Sequence, residues 1–195
     1  MKNIFEKVKR LQTARIIGLI VIAGLVVAGV FANSKLVKAA APHTRTYYIA
    51  VDEVQWNYAP TGTNQITGQP FDDTANVFVQ NGPDRIGSTY IKALYREYTD
   101  ASFTTLKTVA PEWQHLGLMG PAIHAEVGDT IKVVFKNNAS FPFSMHPHGV
   151  FYQKDSEGAP YNDGTSGAKK SDDAVPPGGT HTYNWLVPER AGPGP

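Results

Sequence analysis

His146 and His148, in the stretch Phe141-Pro142-Phe143-Ser144-Met145-His146-Pro147-His148-Gly149-Val150-Phe151, carry the clearest chemistry in the chain. Four of these eleven residues are β-branched or aromatic, and Pro142 and Pro147 forbid a helix through them. In extended backbone the side chains of residues i and i+2 share a face, so the two imidazoles stand side by side. Neutral imidazoles at that spacing suit a borderline transition metal, copper or zinc first. Such a site needs at least three protein donors, so further ligands must come from elsewhere. Pro147 has no N–H to give to a ladder, which puts the stretch at a sheet edge or a strand end. Gly149 lets another backbone or a ligand come close.

The elements that must position this pair read as β. Thr44–Trp56 is rich in Tyr, Ile, Val and Trp and predicts a first strand. Residues 57–76 are Gly/Pro/Thr/Asn/Asp-rich and aperiodic, a long loop. Residues 75–80 predict a short strand and residues 89–99 a longer one. Over residues 123–137 a strand to Val127, a Gly128-Asp129 turn and alternating Ile131, Val133 and Phe135 predict a hairpin-like pair. Asn137-Asn138 opens a further turn, and residues 180–187 form the last strand after Pro176-Pro177-Gly178-Gly179. Short strands between Gly/Pro turns, with no helix beyond the N-terminal segment, predict an all-β Greek-key sandwich.

The chain has 195 residues, net charge +1 and no cysteine. The charge balance gives no footprint for a nucleic-acid partner. The lack of thiols excludes disulfides, Cys-ligated zinc, iron–sulfur clusters and a blue-copper centre within these residues. Residues 1–41 stand apart. Lys2, Lys7, Lys9, Arg10 and Arg15 precede an uncharged run from Ile16 to Ala32, about 25 Å long as a helix. That pattern reads as a secretory signal or an N-terminal membrane anchor that leaves the rest of the chain exported. Residues 42–195 make one domain.

TYYIAVDEVQWNYAP, YREYTDASFTTLK, EWQHLGLMGPAIHAEVGDTIKVVFKNNASFPFSMHPHGV and DDAVPPGGTHTYNWLVPERAGP together resemble a cupredoxin (plastocyanin-like) domain of the ceruloplasmin, hephaestin and coagulation-cofactor group of multicopper oxidase-like proteins. The resemblance runs in order over most of residues 44–195. It implies a copper role for the pair, His146 on the type 2 copper and His148 on one of the type 3 coppers of a trinuclear cluster. It implies an oxidase that takes electrons singly from a reducing substrate and passes them to dioxygen. It also implies a calcium site built from the Lys154 carbonyl and the Asp172 and Asp173 carboxylates, although Lys169 stands where the family tends to offer an oxygen side chain.

The family's second His-x-His pair, and the two pairs and Cys of a partner domain, are not among these residues. The expectation is therefore a domain incomplete at its C-terminus and inactive alone. A second cupredoxin domain, in the same chain or another subunit, would complete the cluster; with a single further domain the assembly would be a homotrimer. A nitrite reductase of the same fold would carry one histidine in place of the pair. A non-catalytic cupredoxin module would have no use for a paired ligand, and a copper-delivery protein would want more exposed Met and His donors. His43, His115, His124 and His181 are expected to be structural or surface residues, and Met145 to face the core.

Overall fold

β5 (Thr130–Asn137) shows how the sequence makes its core. Ile131, Val133, Phe135 and Asn137 are buried while their neighbours are only half-buried, the period-two pattern of a strand with one covered face. β6 (Thr180–Leu186) pairs antiparallel to it with Tyr183 and Trp185 facing the same way. β1 (Thr44–Asn57) lies on its other side and runs parallel, with Tyr47 opposite Val133 and Ile49 opposite Phe135. β4 (Thr89–Tyr98) closes the sheet antiparallel to β1, giving the order β4-β1-β5-β6. A two-stranded ribbon, β2 (Asn81–Gly82) and β3 (Arg85–Ile86), stands apart from it. β1 is central, so Ile49 to Asp52 are buried on both faces.

The chain divides into two units, residues 1–40 and 41–195, and the computed structural model describes residues 41–191. The expected signal or anchor, up to Ala40, and the tail after Ala191 lie outside the described residues. Among the described residues no helix is long and apolar enough to cross a membrane.

The fold is all-β, a four-stranded sheet whose buried face is covered by irregular chain rather than by a second regular ladder. Ile123, Ala125, Phe143, Met145, Val150 and Tyr152 pack across the buried face of the sheet. Only single bridges tie this layer down, Phe143 to Val175 and Phe151 to Leu186. Two local expectations are corrected. Residues 75–80 are not a strand: α1 (Asp73–Val79) is a helix, capped by the Asp72 carboxylate accepting from the Ala75 N–H at 2.8 Å. Residues 123–127 form no strand and no hairpin with β5, because β1 and β6 already occupy both edges of β5. The histidine stretch lies outside the ladder, tied only by the bridges at Phe143 and Phe151, in keeping with its two prolines.

Two buried polar residues hold this layering. Asp129 accepts N–H groups from His43 and Glu126 at 2.9 Å each and a guanidinium N–H from Arg45, tying the entry of β5 to the start of β1. Arg45 first, then those backbone donors, hold the Asp129 carboxyl down to about 2. A depressed carboxyl contributes stability above its ordinary value and loses it as pH falls towards its folded one. The urea midpoint of the chain should therefore hold steady down to about pH 4 and fall between there and about pH 2. In Asp129→Asn that contribution to the acid limb should be missing.

Asn137, fully buried, donates to the carbonyls of Phe141 and Val175 at 2.7 and 2.9 Å and accepts from the Ala139 N–H at 2.8 Å. It thus shapes the turn that feeds the histidine stretch. Asn137→Leu strands the Phe141 carbonyl and the Ala139 N–H, while Val175 keeps the Phe143 N–H, and should cost about 1–3 kcal/mol, read from the denaturation midpoint at constant m-value.

Candidate metal centre

Met145-His146-Pro147-His148 lie outside any ladder, and the two imidazoles stand together, as their i, i+2 spacing suggests. Their ring centroids are 5.0 Å apart with the planes at 83°, edge to face. Both residues are exposed, and they share the rim of a cleft of about 530 Å³ with Met119, Tyr95 and Pro121. Met145 packs into the core behind them.

One ring is oriented by a partner. His146 Nδ1 lies 2.7 Å from the Glu157 carbonyl oxygen. A carbonyl only accepts, so Nδ1 carries the proton and Nε2 is left with its lone pair. A backbone carbonyl in that role fixes the tautomer and angle of a metal-binding imidazole. Tyr152 lies edge-on, 6.2 Å from the His146 ring. Two adjacent imidazoles with free access, one already set in a donor tautomer, fit copper or zinc. The described residues supply no group of three or more His, Cys, Asp or Glu side chains that could hold a metal, so the pair is a partial ligand set.

Glu157, Gly158 and Tyr183 escaped the reading of the sequence, because their roles are set across eleven residues or more of chain. Gly158 has φ +68°, and a Cβ there would sit 2.0 Å from the Met145 carbonyl oxygen. The close backbone approach that Gly149 suggested therefore falls at Gly158; Gly149 has φ +77° but open space around its missing side chain. Ser144 adds a bond from Oγ to the Gly158 carbonyl at 2.6 Å. Gly158→Ala should push the Met145-His146 backbone out of place. Purified variant compared with wild type should show a clearly lower melting temperature and weaker binding of Cu²⁺.

Asp172 and Asp173 are buried, at 0% and 4% exposure, and lie behind the same loop. Asp172 Oδ2 accepts from the Glu157 and Gly158 N–H groups at 2.9 and 2.7 Å. Asp172 Oδ1 and both Asp173 oxygens have no hydrogen-bond partner among the described residues. The Lys170 ammonium is 3.1 Å from Asp173 Oδ2 without hydrogen-bond alignment, and Lys154 Nζ is 3.7 Å from Oδ1. Lys154 instead bonds Glu157 and Asp163, at 2.8 and 2.9 Å, with Tyr161 under its ammonium. Those carboxylates hold the Lys154 ammonium well above its usual range, and it in turn pulls the Glu157 carboxyl down. Three buried carboxylate oxygens without donors fit a hard cation, in competition with two lysines.

Of the other histidines, His181 has a structural role. His181 Nε2 meets the Asp155 carbonyl at 2.8 Å and its ring packs on Tyr183 at 4.7 Å, so it is half-buried rather than at the surface. His124 lies 5.1 Å from Trp113 and is exposed.

Residues 113–193 match the family described as Multicopper oxidase. Over 152 residues, 77% of this chain and 13% of the relative, the chain is 53% identical to human hephaestin. It is 54% identical to human ferroxidase HEPHL1 over 78% of this chain and 13% of that protein. Sheep ceruloplasmin is 48% identical over 77% of this chain and 15% of that protein. The chain thus spans only 13 to 15% of the length of these curated relatives. Among solved structures, a multicopper oxidase from Pseudomonas thermotolerans aligns with 76% of the chain at a TM-score of 0.40 and 16% identity.

Proposed function

We propose that this chain carries a multicopper oxidase domain related to hephaestin and ceruloplasmin, and that it supplies the His146 and His148 ligands of a trinuclear copper cluster in a copper oxidase. The observation that carries the reading is the pair itself: two exposed rings 5.0 Å apart, with His146 Nδ1 engaged by Glu157 and its Nε2 bare. Each ring can serve a different ion of one cluster, His146 the type 2 copper and His148 a type 3 copper. Copper held there with donors from outside the described residues supplies reduction of dioxygen to water by single electrons drawn from a reducing substrate.

What the chain itself does is bind and orient. Glu157 presents the carbonyl that sets the His146 tautomer. Pro147 stiffens the backbone between the two ligands. The cleft beside them leaves room for a neighbouring segment. A second cupredoxin domain fills that role in our reading, from the same chain or from another subunit of a homotrimer. The kinship with a relative named ferroxidase makes iron(II) the first reducing substrate to try. Export by residues 1–41 places the chemistry outside the cytoplasm. Asp172 and Asp173, with the Lys154 carbonyl, would hold calcium, which would meet the need of the unpartnered carboxylate oxygens.

Titrating the full chain with Cu²⁺ and recording its paramagnetic resonance tests this. Bound Cu²⁺ should show imidazole nitrogen coupling in wild type, one ring to an ion, and His146→Ala or His148→Ala should each lower the copper bound per chain. Copper bound in the wild-type amount by both variants would discard the assignment. Calorimetry with Ca²⁺ should show binding in wild type that Asp173→Asn loses.

A further inference from the structure

We infer that Asp172 is the positioning residue for His146, acting through the single peptide group that joins Glu157 to Gly158. The carbonyl of that group accepts from His146 Nδ1 at 2.7 Å, and its N–H donates to Asp172 Oδ2 at 2.7 Å. In a trans peptide the C=O and N–H point in opposite directions, so imidazole, peptide and carboxylate form one chain of hydrogen bonds. Such chains polarise cooperatively: a full negative charge on the N–H side makes the carbonyl a better acceptor. The Glu157 N–H, donating to the same Oδ2 at 2.9 Å, stops the peptide from rotating.

A second path ties the same two residues together. The Tyr183 hydroxyl donates to the Asp172 carbonyl at 2.9 Å and accepts from the Met145 N–H, next to His146, at 3.2 Å. Asp172 is fully buried, so its charge acts on this peptide with little screening by water. A carboxylate that only stabilised the loop would not need to sit in line with a ligand ring. This role rests on the reading of His146 as a copper ligand, but its first readout does not need copper.

The test uses the ¹⁵N-labelled full chain at a pH where histidine is neutral. Long-range ¹H–¹⁵N correlation should show His146 protonated on Nδ1 in wild type. In Asp172→Asn it should become a mixture of tautomers, and Cu²⁺ affinity should fall about 10–100-fold, as for other orienting partners of metal ligands. Asp100→Asn, whose carboxylate accepts only from Ser102 and Thr99 in the turn after β4, should change neither. An unchanged tautomer and unchanged affinity in a folded Asp172→Asn overturns the inference and leaves the copper assignment standing. Wild type that binds no Cu²⁺, with a tautomer that still follows Asp172, removes the copper assignment and leaves the positioning role. Should Asp172→Asn not fold, couplings across the hydrogen bonds decide in wild type. They are expected from Gly158 N to the Asp172 carboxyl carbon and from His146 Nδ1 to the Glu157 carbonyl carbon, and absence of either overturns the inference.

Discussion

In the copper-loaded oxidase proposed above, His146→Ala is expected to abolish dioxygen reduction while leaving this domain folded. Residues that merely orient a metal ligand cost about 10–100-fold when removed, so loss of a ligand itself should exceed about a hundredfold. The fold should tolerate it. The ring is exposed and makes one hydrogen bond, to Glu157, worth about 0.5–1.5 kcal/mol. His148→Ala should behave alike, and His181→Ala should spare activity, since that ring is turned to the Asp155 carbonyl and Tyr183. Oxygen uptake, copper content and the type 2 resonance check these together. Full oxygen uptake in His146→Ala with copper retained would sink the reading, whereas loss of all three variants, His181→Ala included, would point to misfolding.

The parts of this site legible in the sequence are those set by local geometry. The i, i+2 spacing of His146 and His148 and the stiff proline between them were enough to place the rings together, because extended backbone admits few other arrangements. β1, β4 and β6 read correctly for the same reason: Tyr, Val, Ile and Trp in runs of suitable length leave little choice. Residues 75–80 did not. The apolar run Val77-Phe78-Val79 has strand propensity, but Asp72 caps the turn before it and the segment lies off the sheet, so local capping prevails. Residues 123–127 failed in another way. Their alternation is real, but which edge of β5 is free depends on β1, which arrives from some eighty residues away in parallel. The support of His146 was illegible on the same ground. Nothing around Glu157 or Gly158 announces a backbone carbonyl for a ring eleven residues earlier, and only the fold brings Asp172 behind that peptide.

That dependence on distant packing makes a sharp prediction for Phe135, a residue with no polar chemistry at all. It is fully buried at the middle of β5, between Tyr95 and Tyr183 with ring centroids 6.0 and 6.1 Å away. Phe135→Ala should cost about 3–5 kcal/mol, the lost transfer energy plus the cavity left behind. Against a total of about 5–15 kcal/mol for a typical domain, that is a large share. Ile91→Ala, at a position 57% exposed, should change stability little. The two tyrosines flanking the cavity are also the anchors of the histidine stretch. Tyr95 donates to the Ser144 carbonyl at 2.6 Å, and Tyr183 accepts the Met145 N–H. Once Phe135 no longer wedges them apart, both hydroxyls can drift, and His146 drifts with them. Cu²⁺ affinity should therefore weaken in Phe135→Ala well below its melting temperature, in protein that is still folded. If affinity instead stays at the wild-type value until the domain melts, the backbone around His146 is held by the Glu157–Asp172 contacts alone, and the core plays no part in shaping the site.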